Sequence, residues 1–215
     1  MIRAVLFDFD GVLTTHPSGS FTTVASLSAA LALPAAEIWA AFAPFNDDLL
    51  YGRATHASVW PAVCERLGRD VDIRLLIDAF DSTPINAPMF ALARELAAHV
   101  AVGIVTDNKQ DRIDHLSRRW ALRALFDPIV VSAAVGSGKR GPAIFEHALH
   151  ALDASAAEVV FIDNSPCNLV APAALGIHAM HFDDAANDVG ALAAALHARF
   201  GLGVRDVEKN APRVV

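Results

Sequence analysis

The sequence predicts an α/β protein, with a Rossmann-like three-layer core built on a parallel sheet and a small helical cap domain inserted after the first strand. Three observations predict it. Short β-branched and aromatic runs alternate with alanine- and leucine-rich stretches of helical length, the rhythm of strand–helix–strand units. The strand runs are apolar on both faces, so the sheet needs cover on both sides, as parallel sheets have. Residues 15–87, between the first two strand runs, hold several helix candidates and no strand candidate.

The elements follow in order. Ala4–Phe9 (AVLFDF) is the first strand, ending at Gly11. In the insert, Pro34 opens one helix as a first-turn proline, and Thr55 caps another that begins before Trp60. Strands are then expected at Val100–Thr106, Ile129–Ser132, Val159–Asp163 and Gly176–His181. Helices are expected at Met89–His99, Gln110–Leu122, Pro142–Leu152, Asn168–Leu175 and Asp188–Arg199. The division is therefore a core of 1–14 and 88–200, a cap of 15–87, and a tail of 201–215 whose mixed charge and late proline imply poor order at its end.

Composition narrows the function. With 215 residues, 54% hydrophobic and 19% charged, the chain can bury a sizeable core. The net charge of −7, with no basic block, speaks against nucleic acid or an anionic membrane as partner. A small phosphate ester needs only a local positive cluster. No run is long and apolar enough to span a bilayer, and the first ten residues carry two carboxylates where a secretory signal would need a positive start, an uninterrupted apolar run and a small-residue cleavage site. Cys64 and Cys167 are too few for a disulfide framework, so the expectation is a cytoplasmic protein with reduced thiols.

Ligands of open parallel sheets bind beyond the carboxyl ends of the strands. The first strand run ends in Asp8-Phe9-Asp10-Gly11, the second in Thr106-Asp107-Asn108, the fourth in Asp163-Asn164. Lys139 lies in the glycine-rich loop GSGKRG before the next helix. Singly, each has a plain reading: Asp8 forms a turn, Thr106 caps a helix, Lys139 is a solvated charge, Asp163 opens a capping turn. Together they set acids, a hydroxyl and a lysine on one rim. Carboxylates held close need a cation or a shared proton, and Mg²⁺ bound through oxygen ligands is the natural answer. GSGKRG lacks the early glycine and the following Ser or Thr of a nucleotide P-loop.

In these motifs the chain resembles the haloacid dehalogenase superfamily. DFDGVLT is similar to the first motif, IVTDN supplies the hydroxyl of the second through Thr106, and Lys139 falls where the third-motif lysine belongs. FIDNSPCNLVAPAALGIHAM, led by Asp163, is similar to the fourth. The resemblance covers 1–14 and about 88–200. FNDDLLYGRATHASVWPAVCERLG resembles, more loosely, the subfamily that includes sugar-phosphate phosphatases and the phosphatase half of epoxide hydrolases. Two departures stand out: Lys139-Arg140 where Lys-Pro is common, and Asp163-Asn164 where Asp-Asp is common, which removes a negative charge near the metal.

The resemblance implies a Mg²⁺-dependent phosphatase with a helical cap, hydrolysing a small phosphate monoester, a sugar phosphate foremost. It implies Asp8 as the nucleophile that becomes phosphorylated and Asp10 as general acid and base. Asp8, Asp10 (through its carbonyl) and Asp163 would hold the metal, with Asn164 and Asn168 in support. Thr106, Asp107, Asn108 and Lys139 would bind phosphate, while Asp48, Arg53 and His56 of the cap would touch substrate. The rivals are a phosphomutase, a metal-independent dehalogenase, which has no need of Asp10, and a non-catalytic binding protein on the same fold. The oligomeric state is not legible in the sequence.

Overall fold

The computed structural model describes residues 1–202; of the tail expected at 201–215, residues 203–215 lie outside them. After β1 (Ala4–Phe7) the chain leaves the sheet for five helices: α1 (Gly19–Leu31), α2 (Ala35–Phe42), α3 (Asn46–Leu50), α4 (His56–Leu67) and α5 (Arg74–Phe80). Three of them carry a start signal, and all five share an apolar side. Ser18 accepts from the Phe21 amide to cap α1, and Pro34 precedes α2. Thr55 and Ser58 exchange backbone and side-chain bonds in a capping box at α4. Leu27, Ile38, Val63, Leu76 and Phe80 of these helices meet in an apolar cluster separate from the sheet's own. Where the insert leaves and rejoins, the two crossings pair: Thr14 bridges Ile85, the Thr15 amide donates to Pro84 (3.0 Å) and that of Asn86 to Leu13 (2.9 Å).

The chain then runs α6 (Ala87–Ala97), β2 (Ala101–Thr106), α7 (Gln110–Trp120), β3 (Ile129–Val131), α8 (Ser132–Val135), α9 (Ala143–Leu152), β4 (Val159–Asp163), α10 (Val170–Leu175), β5 (His178–His181) and α11 (Val189–Phe200). All strand pairs are parallel and the order is β3-β2-β1-β4-β5, with β1 central. Side chains alternate across a strand. Val5 and Phe7 therefore join the cluster of Phe90, Ile113 and Leu196, from α6, α7 and α11. Ala4 and Leu6 join that of Ile144 and Phe145, against which Leu175 packs, from α9 and α10. The result is helix, sheet, helix: three layers, as the apolar runs require.

Several element boundaries fall one or two residues from the sequence reading, and three of them bear on the site or have a visible local cause. The first strand stops at Phe7, because Phe9–Leu13 winds into a tight helical turn in which Gly11 takes φ 86°. The third stops at Val131, and Ser132–Val135 forms one helical turn, closed at Gly136 (φ 72°), where a loop was expected. The fifth begins at His178, since Gly176, at φ 92°, ends α10. Among the described residues no helix is long and apolar enough to cross a membrane.

Candidate active site

The carboxyl ends of β1, β2 and β4 open on a polar cavity of about 400 Å³ beneath the cap. Asp8, Asp10, Thr106, Asp107, Asn108, Lys139, Asn164 and Asn168 all line it. Asp163, fully buried, stands behind this wall. Adjacent parallel strands bring these residues together although they are scattered along the chain.

Lys139 is the centre of the charge pattern. Its Nζ lies 2.7 Å from Asp8 Oδ1 and donates to Asp163 Oδ2 at 2.6 Å, with all three side chains almost wholly buried. Asp163 also accepts from the Ser165 amide (2.7 Å) and from Asn168 Nδ2 (3.2 Å). Burial pushes Asp8 up to about 7, against the pull of Lys139, and the nearby Asp163 adds to the rise. Burial works against the Lys139 ammonium, but Asp8 and Asp163 outweigh it and hold its pKa above the ordinary lysine value. Burial likewise raises Asp107. The Asp107 carboxylate accepts from the Lys139 backbone amide (2.9 Å), so it anchors the lysine loop. Having no proton when ionised, that carboxylate offers nothing to a phosphate oxygen.

Asp10 faces a different partner. Arg112, 3% exposed, grips it bidentately: Nη1 to Oδ2 at 2.8 Å and Nη2 to Oδ1 at 2.9 Å. Asn108 Nδ2 donates to the same Oδ2 at 2.8 Å. Arg112 also donates to Thr83 Oγ1 (3.1 Å), just before the returning crossing, and to Asn108 Oδ1 (3.1 Å). The guanidinium fits only because position 19 is glycine, since a Cβ there would collide with it. Arg112 was not among the residues singled out from sequence. The available signal was its place one helical turn after Asn108, on the face that also carries buried Ile113 and Leu116.

Of the cap residues expected to touch substrate, Asp48 and Arg53 line neither this cavity nor its neighbour. Both are half exposed and bond each other at 2.6 Å. His56 is buried, and its Nδ1 lies 2.7 Å from Asp111 Oδ1 on α7, a contact that seats cap on core. Lys109, a second residue missed by sequence, lines the cavity and donates to Ser20 Oγ of α1 at 3.0 Å.

The donor set suits magnesium on its chemistry. Two carboxylates, Asp8 and Asp163, converge on one lysine with Asp107 close by, a surplus of negative charge, and Asp8 is pushed toward protonation chiefly by burial, with Asp163 adding to the rise. A hard divalent cation would relieve that surplus. Mg²⁺ typically takes one or two carboxylates plus water and substrate oxygens. No cluster of three or more acid, His or Cys side chains able to hold a metal ion occurs among the described residues, so this is not an all-protein cage. The Asp10 side chain faces Arg112 and not this acid cluster, so its carbonyl is what it has to offer a metal.

Comparison with known proteins agrees with the geometry. The family model for haloacid dehalogenase-like hydrolases matches residues 2–176. A sesquiterpene phosphatase from Aspergillus oryzae, astK, is 35% identical over 100 residues, covering 46% of this chain and 51% of that protein. The bifunctional epoxide hydrolase 2 of Sus scrofa is 31% identical over 185 residues, covering 76% of this chain and 33% of that protein. The chain thus spans about half the length of the first and a third of the second. Among solved structures, a predicted HAD-like family hydrolase from Porphyromonas gingivalis superposes with TM-score 0.74 at 22% identity, over 91% of this chain and 98% of that one. A HAD family enzyme from Bacteroides thetaiotaomicron, in complex with magnesium and inorganic phosphate, gives 0.67 at 17% identity, over 84% and 94%. A 2-haloacid dehalogenase from Pseudomonas syringae gives 0.64 at 21%, over 85% of each. At these identities the structures speak for the fold alone.

Proposed function

The chain belongs to the haloacid dehalogenase-like hydrolases, and from that membership we propose that it is a magnesium-dependent phosphatase, hydrolysing a small phosphate monoester through a phosphorylated Asp8. The observation that carries this reading is the pair Asp8 and Asp10 on one cavity wall, the first on Lys139 and the second in the Arg112 fork. A haloacid dehalogenase needs the first carboxylate and has no work for the second.

Asp8 attacks phosphorus in line, and the bond to the leaving oxygen breaks as the new P–O bond forms. In this reading Asp10 gives that oxygen its proton, which requires one Asp10 oxygen to leave the Arg112 fork, then takes one from the water that cleaves the acyl phosphate. Thr106 Oγ1 and Lys139 Nζ hold the phosphoryl oxygens, since phosphoryl transfer rests chiefly on positioning and electrostatics. Mg²⁺, held by Asp8, Asp163 and the Asp10 carbonyl, would supply the charge that offsets those oxygens. The cap over the rim excludes bulk water from the site. A sugar-binding role for Asp48 and Arg53 gains no support from where they lie. A cytoplasmic setting goes with this reading, in keeping with the unpaired Cys64 and Cys167.

The test is turnover of an aryl phosphate. Asp8→Asn should abolish it, and Asp10→Asn should lower it about 10²–10⁴-fold. Chelation should silence the wild type and Mg²⁺ restore it. Aryl phosphate turnover near wild type in Asp8→Asn would overturn the assignment. Haloacid turnover that survives exhaustive chelation would point to the dehalogenase chemistry instead.

A further inference from the structure

Beside the catalytic cavity the cap holds a second space of opposite character. Val24, Trp39, Phe42, Leu49, Leu76 and Phe80 wall an apolar slot of about 40 Å³. It shares two lining residues with the catalytic cavity, Ser20 and Lys109, whose side chains meet at 3.0 Å. The slot therefore lies beside the place where the phosphoester bond would break, parted from it by the Ser20–Lys109 contact.

The polar groups that reach this slot are nearly all engaged. Thr23 Oγ1 donates to the Gly19 carbonyl at 2.8 Å, and His56 Nδ1 is 2.7 Å from Asp111. The guanidinium of Arg112 is taken up by Asp10, Asn108 and Thr83. A hydroxyl-rich group entering here would strip water from its hydroxyls and find few partners, which is costly. An alkyl group would meet ring faces and branched side chains instead. Lys109, at the shared wall, forms no ion pair among the described residues, and burial together with Arg112 draws its pKa down. An anionic substrate head beside it would restore the charged form and gain an ion pair.

Building on the phosphatase reading, we infer that this slot receives the apolar end of the leaving group, with Lys109 beside the phosphoester at its entrance. The substrate is then the phosphate monoester of a compact, poorly hydroxylated alcohol, not a sugar phosphate. At about 10–15 Å³ for one water-sized occupant, the slot takes about three or four heavy atoms, the size of a short branched alkyl end.

The test compares isopentyl phosphate with glycerol phosphate, which are matched in size and differ in hydroxyls, and uses acetyl phosphate as a substrate too short to fill the slot. With Mg²⁺, wild-type kcat/KM should favour isopentyl over glycerol phosphate by about tenfold or more. Val24→Phe, which fills the slot, should lower the ratio of isopentyl to acetyl phosphate kcat/KM about tenfold. Trp39→Ala, at an already 40% exposed site where folding is tolerant, should lower the same ratio by raising KM for the isopentyl ester. Hydrolysis of acetyl phosphate with glycerol phosphate equal or preferred, or ratios that neither variant moves, overturns the slot and leaves the phosphatase standing. Hydrolysis of none of the three phosphates, nor of the aryl phosphate, overturns the phosphatase, and the slot falls with it.

Discussion

As the proposed nucleophile, Asp8 would act ionised in a place where burial favours its neutral form. Its folded pKa is raised from 3.8 to about 7. The folded state thus holds a proton that the unfolded chain releases, and linkage makes Asp8 reduce stability as pH rises from about 4 to about 7. Without Mg²⁺, the wild type should lose thermal stability across that window, and Asp8→Asn should lose less. Added Mg²⁺ should raise the Tm of the wild type at neutral pH more than that of the variant. Parallel curves for the two proteins would mean Asp8 is not the strained group. Asp10 depends on its fork in another way. Arg112→Lys keeps the charge but gives up the planar double bond to Asp10, so kcat should fall about 10–100-fold with KM little changed. An unchanged kcat would show that Asp10 works without that grip. The acids and Thr106 were legible because each stands at or just after a strand end, and Lys139 because it lies in the glycine-rich loop before the next helix. Arg112 was not singled out, because its local signal, the buried face of α7, does not name a partner 102 positions away.

At the scale of elements, the turn Phe9–Leu13 and the first residue of α1 both depend on a missing side chain. Gly11 sits at φ 86° with the Asn164 amide pressed against it, and Gly19 gives way to the Arg112 guanidinium. Gly19→Ala should push that guanidinium off Asp10 and reproduce the kcat loss of Arg112→Lys. In the double variant the losses should not add, as holds for groups acting through one contact. Additive losses would mean that Gly19 acts by some route other than Arg112. The strands could be read from their apolar runs, but their ends could not. Where β1 stops is decided by the tight turn at Gly11, and where β3 stops by Ser132. That hydroxyl accepts from the Asn108 amide at 2.9 Å and donates to the Leu50 carbonyl of the cap at the same distance. Both contacts are long-range, and neither leaves a mark in local propensity.

Across the whole molecule, the cap and the core make one chamber. His56 on Asp111, Lys109 on Ser20, Arg112 on Thr83 and Ser132 on Leu50 all tie insert to sheet around the cavity. The position of the insert followed from the long strandless stretch after β1. Its inner surface did not, because hydrophobic helices with their own core look alike whether their apolar side chains fill that core or line a slot. The polar cluster that sequence favoured, Asp48 and Arg53, turned out to pair with itself on the outside. The proposed covalent catalysis by Asp8 would take place inside that chamber. The most direct measurement is acid quench of the enzyme during turnover of an aryl phosphate, followed by peptide mass mapping. Asp10→Asn serves alongside the wild type, because slowed hydrolysis lets the intermediate accumulate. The account predicts phosphate on the peptide carrying Asp8, more of it in Asp10→Asn, and none in Asp8→Asn. Steady turnover with no phosphorylated peptide in either active protein, or phosphate on another residue, would contradict it.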